Sequence, residues 1–210
     1  MKRLMADFES IPYLIRIGVT GHRRLDDPAA MQALVKKAID AEVEALIPEE
    51  SRRKTERVRR AGTNAIAFRV LSPLAEGADR VVARAVLDYP NAGLDVVLPL
   101  ALEDYLEDFA TEESRAEFEK LLSLCKNPVL LRTWRIQDEC HDPDGQAELR
   151  RDAYANAGRY VVDHCDLLIA VWNGEPSREH GGTAEIVQYA LKQNRPTLRV
   201  WGDSFEFPLH

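Results

Sequence analysis

Short runs of apolar residues recur along the chain and alternate with longer segments in which apolar residues follow helical spacing. Each run is too short for a comfortable helix and long enough for a buried strand. The runs predict six strands, at 14–19, 66–71, 94–100, 129–134, 167–172 and 197–201. Because strands and helices alternate, and most strands are apolar on both faces, we expect an α/β fold with a mainly parallel sheet and helices on both faces.

The segments between these runs predict the helices. They lie at 29–46, 78–87, 103–124 (one helix, or two broken near Thr111), 146–164 and from 184 onward. Pro28 suits the first turn of the first helix, and Asp26 or Asp27 suits its N-cap. Residues 137–145 are polar and without periodicity, which predicts a loose loop.

Length and composition are those of one globular domain. The chain has 210 residues, 45% of them apolar, which is enough for a sizeable core. No repeat or interdomain linker divides it, so we expect a single domain over residues 1–210. Residues 49–64 carry six Lys or Arg and few apolar side chains, which predicts a basic, mobile insertion. This insertion is either a solvated extension or an arm that closes over an anionic ligand.

Charge and cysteine content argue against several classes of function. The net charge of −7 disfavours general nucleic-acid binding, although it leaves room for a small basic pocket. The three cysteines are widely spaced, as in a reduced setting. No signal-like or membrane-length apolar segment is present, so we expect a cytoplasmic protein with no membrane partner. Cys140, His141 and Asp142 are adjacent and seldom ligate one ion together, so neither a metal nor a cofactor is predicted.

The segment Asp166–Gln188, DLLIAVWNGEPSREHGGTAEIVQ, joins a buried strand, a glycine-bearing loop and a helix. Such a connection aims backbone N–H groups and the positive end of a helix dipole at the space above the strand, which suits phosphate or another anion. Gly181 and Gly182 let a ligand approach the backbone, and Thr183 can cap the helix. An ordinary strand-to-helix loop with a Gly-Gly turn is the alternative.

A second loop, residues 20–24, is predicted to meet the first, because right-handed crossovers place strand-to-helix loops along one edge of a parallel sheet. Thr20 and Gly21 suit contacts with phosphate or ribose. His22 either contacts an anion or a base, or bonds to a neighbouring carbonyl. Arg23 either binds phosphate through its planar fork or lies exposed on the surface.

A third loop, residues 72–79, brings acidic side chains to the same edge. Asp79 stands in the first turn of the following helix, where it complements the dipole; alternatively, Glu76 or Asp79 accepts hydrogen bonds from ribose hydroxyls. Trp172 and Asn173 end the fifth strand, and Trp172 either stacks on a nucleobase or packs in the core.

Several motifs together resemble a known group. GVTGHRRL, SPLAEGADRVVA, VVLPL and AYANAGRYVVDHCDLLIAVWNGEP…GGTAEIVQYAL resemble the SLOG group of Rossmann-like domains, which belongs with the LOG, DprA and YspA/YpsA-like proteins. The resemblance covers almost the whole chain. It implies a Rossmann-like domain that binds a nucleotide or a nucleotide-derived small molecule, as sensors in bacterial signalling or anti-phage systems do. It also implies that the helix before the fifth strand faces the ligand through Tyr154, Asn156 and Arg159, although core packing is the alternative for Tyr154.

Enzymes in the same neighbourhood give a rival function. LOG-type phosphoribohydrolases carry a PGGxGTxxE loop, and nucleoside deoxyribosyltransferases a GTAxEIGYA segment; in both, the working glutamate follows the threonine by three residues. In this chain Ile186 stands there, and the glutamate is one residue earlier, at 185. One residue on a helix is a rotation of about 100°, so we expect Glu185 to project elsewhere. The LOG arginine position falls near Ala157, two residues from Arg159.

The leading prediction is a domain that binds or senses a nucleotide or nucleotide-derived small molecule, without a catalytic residue. The alternative is a nucleoside or nucleotide N-glycosidase that uses Glu185. The resemblance also predicts a homo-oligomer and an effector partner. The predicted ligand-binding residues are Thr20, Gly21, His22, Arg23, Glu76, Gly77, Asp79, Tyr154, Asn156, Arg159, Trp172, Asn173, Gly181, Gly182, Thr183 and Glu185.

Overall fold

The computed structural model describes residues 13–42, 47, 66–176 and 181–209. Within this part of the chain, seven strands form one sheet. They are β1 (Tyr13–Gly21), β2 (Ile66–Ser72), β3 (Gly93–Leu98), β4 (Val129–Leu130), β5 (Leu167–Val171), β6 (Thr197–Trp201) and β7 (Ser204–Glu206). Their order is β4-β3-β2-β1-β5-β6-β7, and every neighbouring pair is parallel except β6 and β7.

Seven helices are described. They are α1 (Pro28–Glu42), α2 (Ala78–Leu87), α3 (Leu102–Leu106), α4 (Glu112–Leu122), α5 (Ile136–Glu139), α6 (Pro143–His164) and α7 (Thr183–Lys192). Three of them, α1, α4 and α6, begin at a side-chain cap. Asp27 Oδ1 accepts from the N–H groups of Ala29 and Ala30 at 3.1 and 2.9 Å, so the predicted cap of α1 is confirmed. The sequence left open one helix or two broken near Thr111 over 103–124; Thr111 caps α4, so two helices is the correct alternative.

Helices cover both faces of the sheet. Side chains from α1 and α2 pack in one buried cluster with Leu167 and Ile169 of β5. Side chains from α6 and α7 pack in a second cluster with Leu168 of the same strand. Since neighbouring residues of a strand point to opposite faces, the two clusters lie on opposite sides of the sheet. The predicted α/β, Rossmann-like fold is therefore confirmed.

The strand order reverses beside β1, which lies between β2 and β5. The chain leaves β1 toward β2, β3 and β4, and then returns to β5 on the other side of β1. At the carboxyl ends, Thr20 pairs with Ala170 and Gly21 with Val171. This reversal is a topological switch point, where open α/β sheets bind their ligands.

Two predictions for residues 129–145 are wrong. The strand predicted over 129–134 contains only Val129 and Leu130, which pair with Val97 and Leu98 of β3. As an edge strand it has one neighbour and its side chains are exposed, so little holds its continuation in the sheet. The loop predicted over 137–145 contains the end of α5 and the start of α6, because Asp142 caps α6 by accepting from the Gly145 N–H at 2.9 Å.

Two further regions complete the description. The C-terminal tail forms β7, and its residues Phe205 and Phe207 pack against the main core cluster. The basic insertion predicted at 49–64 lies outside the described residues. None of the described helices has the length and apolar character that a bilayer-spanning helix needs.

Candidate ligand-binding site

A cavity of about 600 Å³ opens at the carboxyl ends of β1, β2 and β5. Its volume lies in the range that binds small molecules, roughly 300–1,000 Å³. All three predicted loops contribute to its lining, α6 forms a wall, and Tyr105 of α3 adds to the lining. The loops that the sequence assigned to one edge of the sheet therefore meet around one space.

Most of the predicted ligand-binding residues lie in the described lining of this cavity. They are Thr20, Gly21, His22, Arg23, Asp79, Tyr154, Trp172, Asn173, Gly181, Gly182 and Thr183. Five predicted residues are not part of it: Glu76, Gly77, Asn156, Arg159 and Glu185. The lining also contains residues that the sequence did not single out, among them Pro73, Tyr105, Arg150, Arg151, Gly158, Glu175 and Ile186.

The loop before α7 lines the cavity through Gly181 and Gly182. Gly181 has a φ of +79°, and a Cβ there would lie 3.0 Å from the carbonyl oxygen of Arg151 on α6. The predicted cap by Thr183 is wrong: Gly182 is the N-cap, without a side-chain bond, and Glu185 Oε2 instead accepts from the Gly181 N–H at 2.8 Å. The first residues of a helix lack intrahelical acceptors, and Thr183 and Ala184 both line the cavity.

The loop after β1 is held by bonds within the protein. The His22 N–H donates to the Val171 carbonyl at 3.1 Å, and His22 Nε2 accepts from the Asn173 N–H at 3.3 Å. The imidazole ring also packs edge-on against Trp201, with centroids 4.9 Å apart. His22 thus joins the ends of β1 and β5, which favours the structural alternative for this residue.

Gly77 fastens the β2–α2 loop to the loop after β1. Its φ is +76°, and a Cβ there would lie 2.3 Å from the Arg23 carbonyl oxygen and 2.5 Å from that of His22. The next residue, Ala78, donates its N–H to the same His22 carbonyl at 3.0 Å. Close approach of two loops, rather than contact with a ligand, therefore requires glycine at position 77.

Among the described residues, three arginines lie in the cavity wall, and two of these form no ion pair with a described carboxylate. Arg150 binds Asp108 at 2.9 Å and Glu107 at 3.1 Å. The Arg23 guanidinium lies 5.0 Å from the centroid of the Tyr154 ring. Within the described part of the chain, neither Arg23 nor Arg151 forms an ion pair with a carboxylate. Both guanidinium groups are thus available to an anion in the cavity.

Asp79 and Tyr105 form a buried polar pair in the lining, which we call the floor. Asp79 is 6% exposed, and its Oδ2 accepts from the Ala75 N–H at 3.1 Å. Burial raises the pKa of Asp79 to about 7, although the Ala75 N–H and the Arg23 charge act against this shift. Tyr105 is fully buried, and its hydroxyl has no hydrogen-bonding partner among the described residues. Burial, and then the Asp79 charge, raise the pKa of Tyr105 above its ordinary value.

Contacts with later segments hold α3, which carries Tyr105. Asp104 accepts from Arg135 Nε at 2.9 Å and from the Ile136 N–H at 2.8 Å. The Tyr105 ring packs edge-on against Phe109 and Phe118, with centroids 5.2 and 5.6 Å apart. The position of the floor therefore depends on residues about 30 positions farther along the chain.

Ile186, rather than Glu185, faces the cavity. Ile186 is 2% exposed, and it packs so closely on α6 that a Cβ at Gly158 would lie 2.5 Å from its Cδ1. Glu185 Oε1 accepts from Arg159 Nη2 at 2.7 Å, outside the lining. The predicted rotation of Glu185 away from the reactive position agrees with this geometry.

The other predicted residues have identifiable places. Glu76 accepts a hydrogen bond from the Ser114 hydroxyl of α4, and Asn156 lies on the exposed side of α6. Trp172 Nε1 donates to the Glu175 carbonyl at 2.8 Å, so its indole N–H is used within the loop.

The described residues contain no group of three or more His, Cys, Asp and Glu side chains that could hold a metal ion. No protein-family model matches the chain, and comparison with curated proteins likewise finds no match. The resemblance to SLOG domains stays a prediction that depends on the quoted motifs.

Proposed function

We propose that this chain binds a nucleotide or nucleotide-derived small molecule in the cavity at the carboxyl edge of the sheet, as a SLOG-like sensor domain would. One observation carries the proposal. Two guanidinium groups without carboxylate partners among the described residues, those of Arg23 and Arg151, line the same cavity as the first turn of α7.

Electrostatics favours an anionic ligand. The N-terminus of α7 contributes partial positive charge and N–H donors. Arginine adds a planar set of donors that matches the oxygens of phosphate. These groups act within a chain of net charge −7, so the positive charge at the cavity does not reflect the charge of the chain as a whole. A compact phosphate-bearing molecule fits this arrangement better than a nucleic-acid backbone does.

The cavity also has surfaces for the remainder of a nucleotide. Tyr154 and Trp172 are aromatic members of the lining, and Asp79 and Tyr105 are polar ones. Pockets of this type combine apolar walls with few polar groups that fix the orientation of the ligand.

Binding without hydrolysis is the preferred form of the proposal. In the described lining the carboxylates are those of Asp79 and Glu175, whereas Glu185 is paired with Arg159 outside it. N-glycosidic cleavage by the related enzymes would need the glutamate in the position that Ile186 fills. Release of free base from nucleoside or nucleotide substrates, abolished by Glu185→Gln, would contradict this preference.

The proposal can be tested by thermal shift and calorimetry with nucleoside mono- and diphosphates, cyclic nucleotides and ADP-ribose. A ligand at about 100 times its Kd stabilises the folded state by about 2.7 kcal/mol, which raises the Tm by roughly 5–10 °C for a chain of this size. If no member of the panel raises the Tm or produces heat at millimolar concentration, the proposal is wrong.

A charge-matched pair of variants separates the cavity from the rest of the surface. Arg151→Ala should weaken binding of the best nucleotide by about tenfold or more, since it removes a charge-assisted hydrogen bond. Lys192→Ala removes an exposed positive charge at the other end of α7 and should leave the Kd unchanged. Equal effects of the two variants would indicate attraction by general surface charge instead of a defined site.

A homo-oligomer and an effector partner remain predictions from the resemblance. The measured molecular mass with and without the nucleotide, determined by light scattering, would test whether ligand binding changes assembly.

A further inference from the structure

The exposed apolar side chains are concentrated at one end of the sheet. Six large apolar side chains are exposed among the described residues, and five of them lie within residues 124–134: Leu124, Val129, Leu130, Leu131 and Trp134. Trp134 is the most exposed of them, at 74%. Single exposed apolar residues are ordinary, whereas a cluster of them marks a surface that another molecule covers. We call residues 124–134 the β4 edge.

The backbone of β4 is open on the side away from β3. Among the seven described strands, β4 is the last of the sheet and pairs with β3 alone. The Leu131 N–H donates to the Leu98 carbonyl of β3 at 3.0 Å. Because successive residues of a strand direct their backbone groups to alternate sides, Leu130 directs its N–H and C=O away from β3. One donor and one acceptor therefore lie on the free side of β4, between the exposed side chains.

We propose that the β4 edge binds a second copy of this chain, with the two β4 strands antiparallel about a two-fold axis at Leu130. In this register each Leu130 exchanges both of its outward backbone hydrogen bonds with Leu130 of the partner subunit, as a closely paired antiparallel position does. Pro128 lies just before β4 and has no N–H, but its carbonyl oxygen can still accept from the partner strand. The two sheets then continue into each other.

The charges of the β4 edge suit a second copy. Antiparallel pairing brings the segment before β4 in one copy beside the segment after β4 in the other, and these segments carry Lys126 and Trp134. An ammonium group over an indole ring is a favourable contact, and Lys126 is exposed without an ion pair among the described residues. Arg132 is bound to Glu139 of its own copy. The β4 edge contains no Asp or Glu, so two chains of net charge −7 meet there without opposing carboxylates from this segment.

The area of the β4 edge is that of a modest dimer interface. The five apolar residues expose on the order of 500 Å² in each copy, if a whole tryptophan counts for about 250 Å² and leucine and valine for somewhat less. Two copies would cover roughly 1,000 Å² of apolar surface, which reaches the lower end of specific interfaces once the surrounding polar surface is added. An extended peptide would make the contacts of the two-residue strand β4 once, whereas two-fold pairing makes each of them twice. A second copy is therefore the better occupant.

Dimerisation through the β4 edge is separate from nucleotide binding. The described lining of the cavity contains no residue of the β4 edge, and β3 lies between β4 and β2. The proposed function and this inference can therefore fail independently of each other.

The test is light scattering and sedimentation on the full chain without added ligand, from about 1 μM to about 100 μM. We expect the molecular mass to rise from 23.7 kDa, the mass of one copy, toward twice that value. A mass that stays at one copy throughout this range would overturn the inference. Growth beyond two copies would do the same, since a two-fold interface closes on itself.

A charge-matched pair of variants locates the interface. Trp134→Glu should raise the Kd of the dimer by about a hundredfold or more, because both copies lose a central aromatic side chain. Leu14→Glu is the control: Leu14 is the sixth exposed apolar residue, it lies on β1 outside the β4 edge, and its replacement should leave the Kd unchanged. Equal effects of the two variants, or an unchanged Kd in Trp134→Glu, would place the interface elsewhere and end the proposal.

Leu130→Pro tests the strand pairing itself. It removes the N–H that faces the partner and leaves the Val129 and Leu131 backbone groups that face β3. Leu130→Ala shortens the same side chain and keeps the N–H. We expect the Kd of the dimer to be about tenfold higher in Leu130→Pro than in Leu130→Ala, since two symmetric hydrogen bonds are lost. The same Kd in both variants would contradict backbone pairing at Leu130 and with it the inference.

Discussion

The loops after β1 and β2 carry glycine, as the loop before α7 does, but Gly77 and Gly181 have different roles. Gly77 is needed because two loops touch: a Cβ there would meet the carbonyl oxygens of His22 and Arg23. Gly181 also has a positive φ, but it lines the cavity and its N–H is bound by Glu185. A glycine near a predicted phosphate site can therefore mark loop-to-loop packing as readily as ligand contact.

The contrast between Gly77 and Gly181 divides the rim of the cavity into two parts. We call the loops after β1 and β2 the rigid part, and the loop before α7 with the first turn of α7 the ligand-facing part. The Ala78 N–H donates to the His22 carbonyl and so joins the loops after β1 and β2, and the His22 N–H donates to the Val171 carbonyl at the end of β5. The first turn of α7 instead lines the cavity through Thr183 and Ala184. Substitution of Gly77, which fastens the two loops, should mainly change stability, whereas substitutions of residues that line the cavity, such as Arg23 and Gly181, should also change binding.

The largest effect is expected for Gly77→Ala. Strain at a positive φ and the clash with two carbonyl oxygens should together lower the free energy of unfolding by about 3–5 kcal/mol. Urea denaturation measures this. Gly202→Ala is the control, since Gly202 has a φ of +63° and a Cβ added there would have no atom within 4 Å, which leaves only about 1–2 kcal/mol of strain. Similar losses in the two variants would mean that contact between the loops is not what requires Gly77.

Asp79→Asn should have the next largest effect on the free energy of unfolding, and this effect should depend on pH. Burial raises the pKa of Asp79 to about 7 in the folded chain, so above the unfolded pKa of about 4 the unfolded state binds fewer protons. Stability contributed by the protonated form is therefore present at low pH and is lost as pH rises from about 4 to about 7.

Asn cannot ionise and can still accept from Ala75. The free energy of unfolding of the variant, relative to that of the unmodified chain, should therefore increase by about 2–4 kcal/mol as the pH rises from about 4 to about 8. Urea denaturation of both proteins at these two pH values measures the change. A constant difference between the two proteins would show that Asp79 ionises normally.

A smaller effect is expected for Gly181→Ala. The positive φ and the approach of a Cβ to the Arg151 carbonyl should lower the free energy of unfolding by about 1–3 kcal/mol, less than in Gly77→Ala. Because this loop faces the cavity, the Kd of the best nucleotide should also rise by about tenfold. Loss of stability without any change in the Kd would assign Gly181 to the rigid part.

The smallest effect is expected for the ion pair between Arg159 and Glu185. Both side chains are partly exposed, so a double-mutant cycle with Arg159→Ala and Glu185→Gln should give a coupling of about 0.2–1 kcal/mol. Glu185→Gln by itself should leave nucleotide affinity within about threefold, since Glu185 lies outside the described lining. A tenfold loss of affinity would place Glu185 in the site and would favour the enzyme alternative.

The sequence predicts the strands and helices best where strong local signals mark them. The predicted bounds of α2 and β6, 78–87 and 197–201, match the structure because apolar periodicity and turn formers coincide there. The predicted strand at 129–134 is too long, since an apolar run does not reveal that it lies at an edge. Asp142 and Pro143 form a recognisable helix start within the predicted loop, and that signal could have located α6.

The site residues, too, are predictable where a local signal marks them. Those on the strand-to-helix loops could be predicted, because the topology of a parallel sheet brings such loops together. Tyr105 could not, since its place depends on the contacts of Asp104 with Arg135 and Ile136. Arg150 and Arg151 offered a usable signal, two adjacent arginines on the helix that leads into β5.

The attachment of α3 affects which substitutions can change the lining of the cavity. This five-residue helix supplies Tyr105 to the cavity and is held by arginine pairs and aromatic packing, with none of its own residues in the sheet. Because Tyr105 reaches the cavity from a short helix and not from a strand, substitutions within α3 can alter the lining of the cavity without changing any strand pairing.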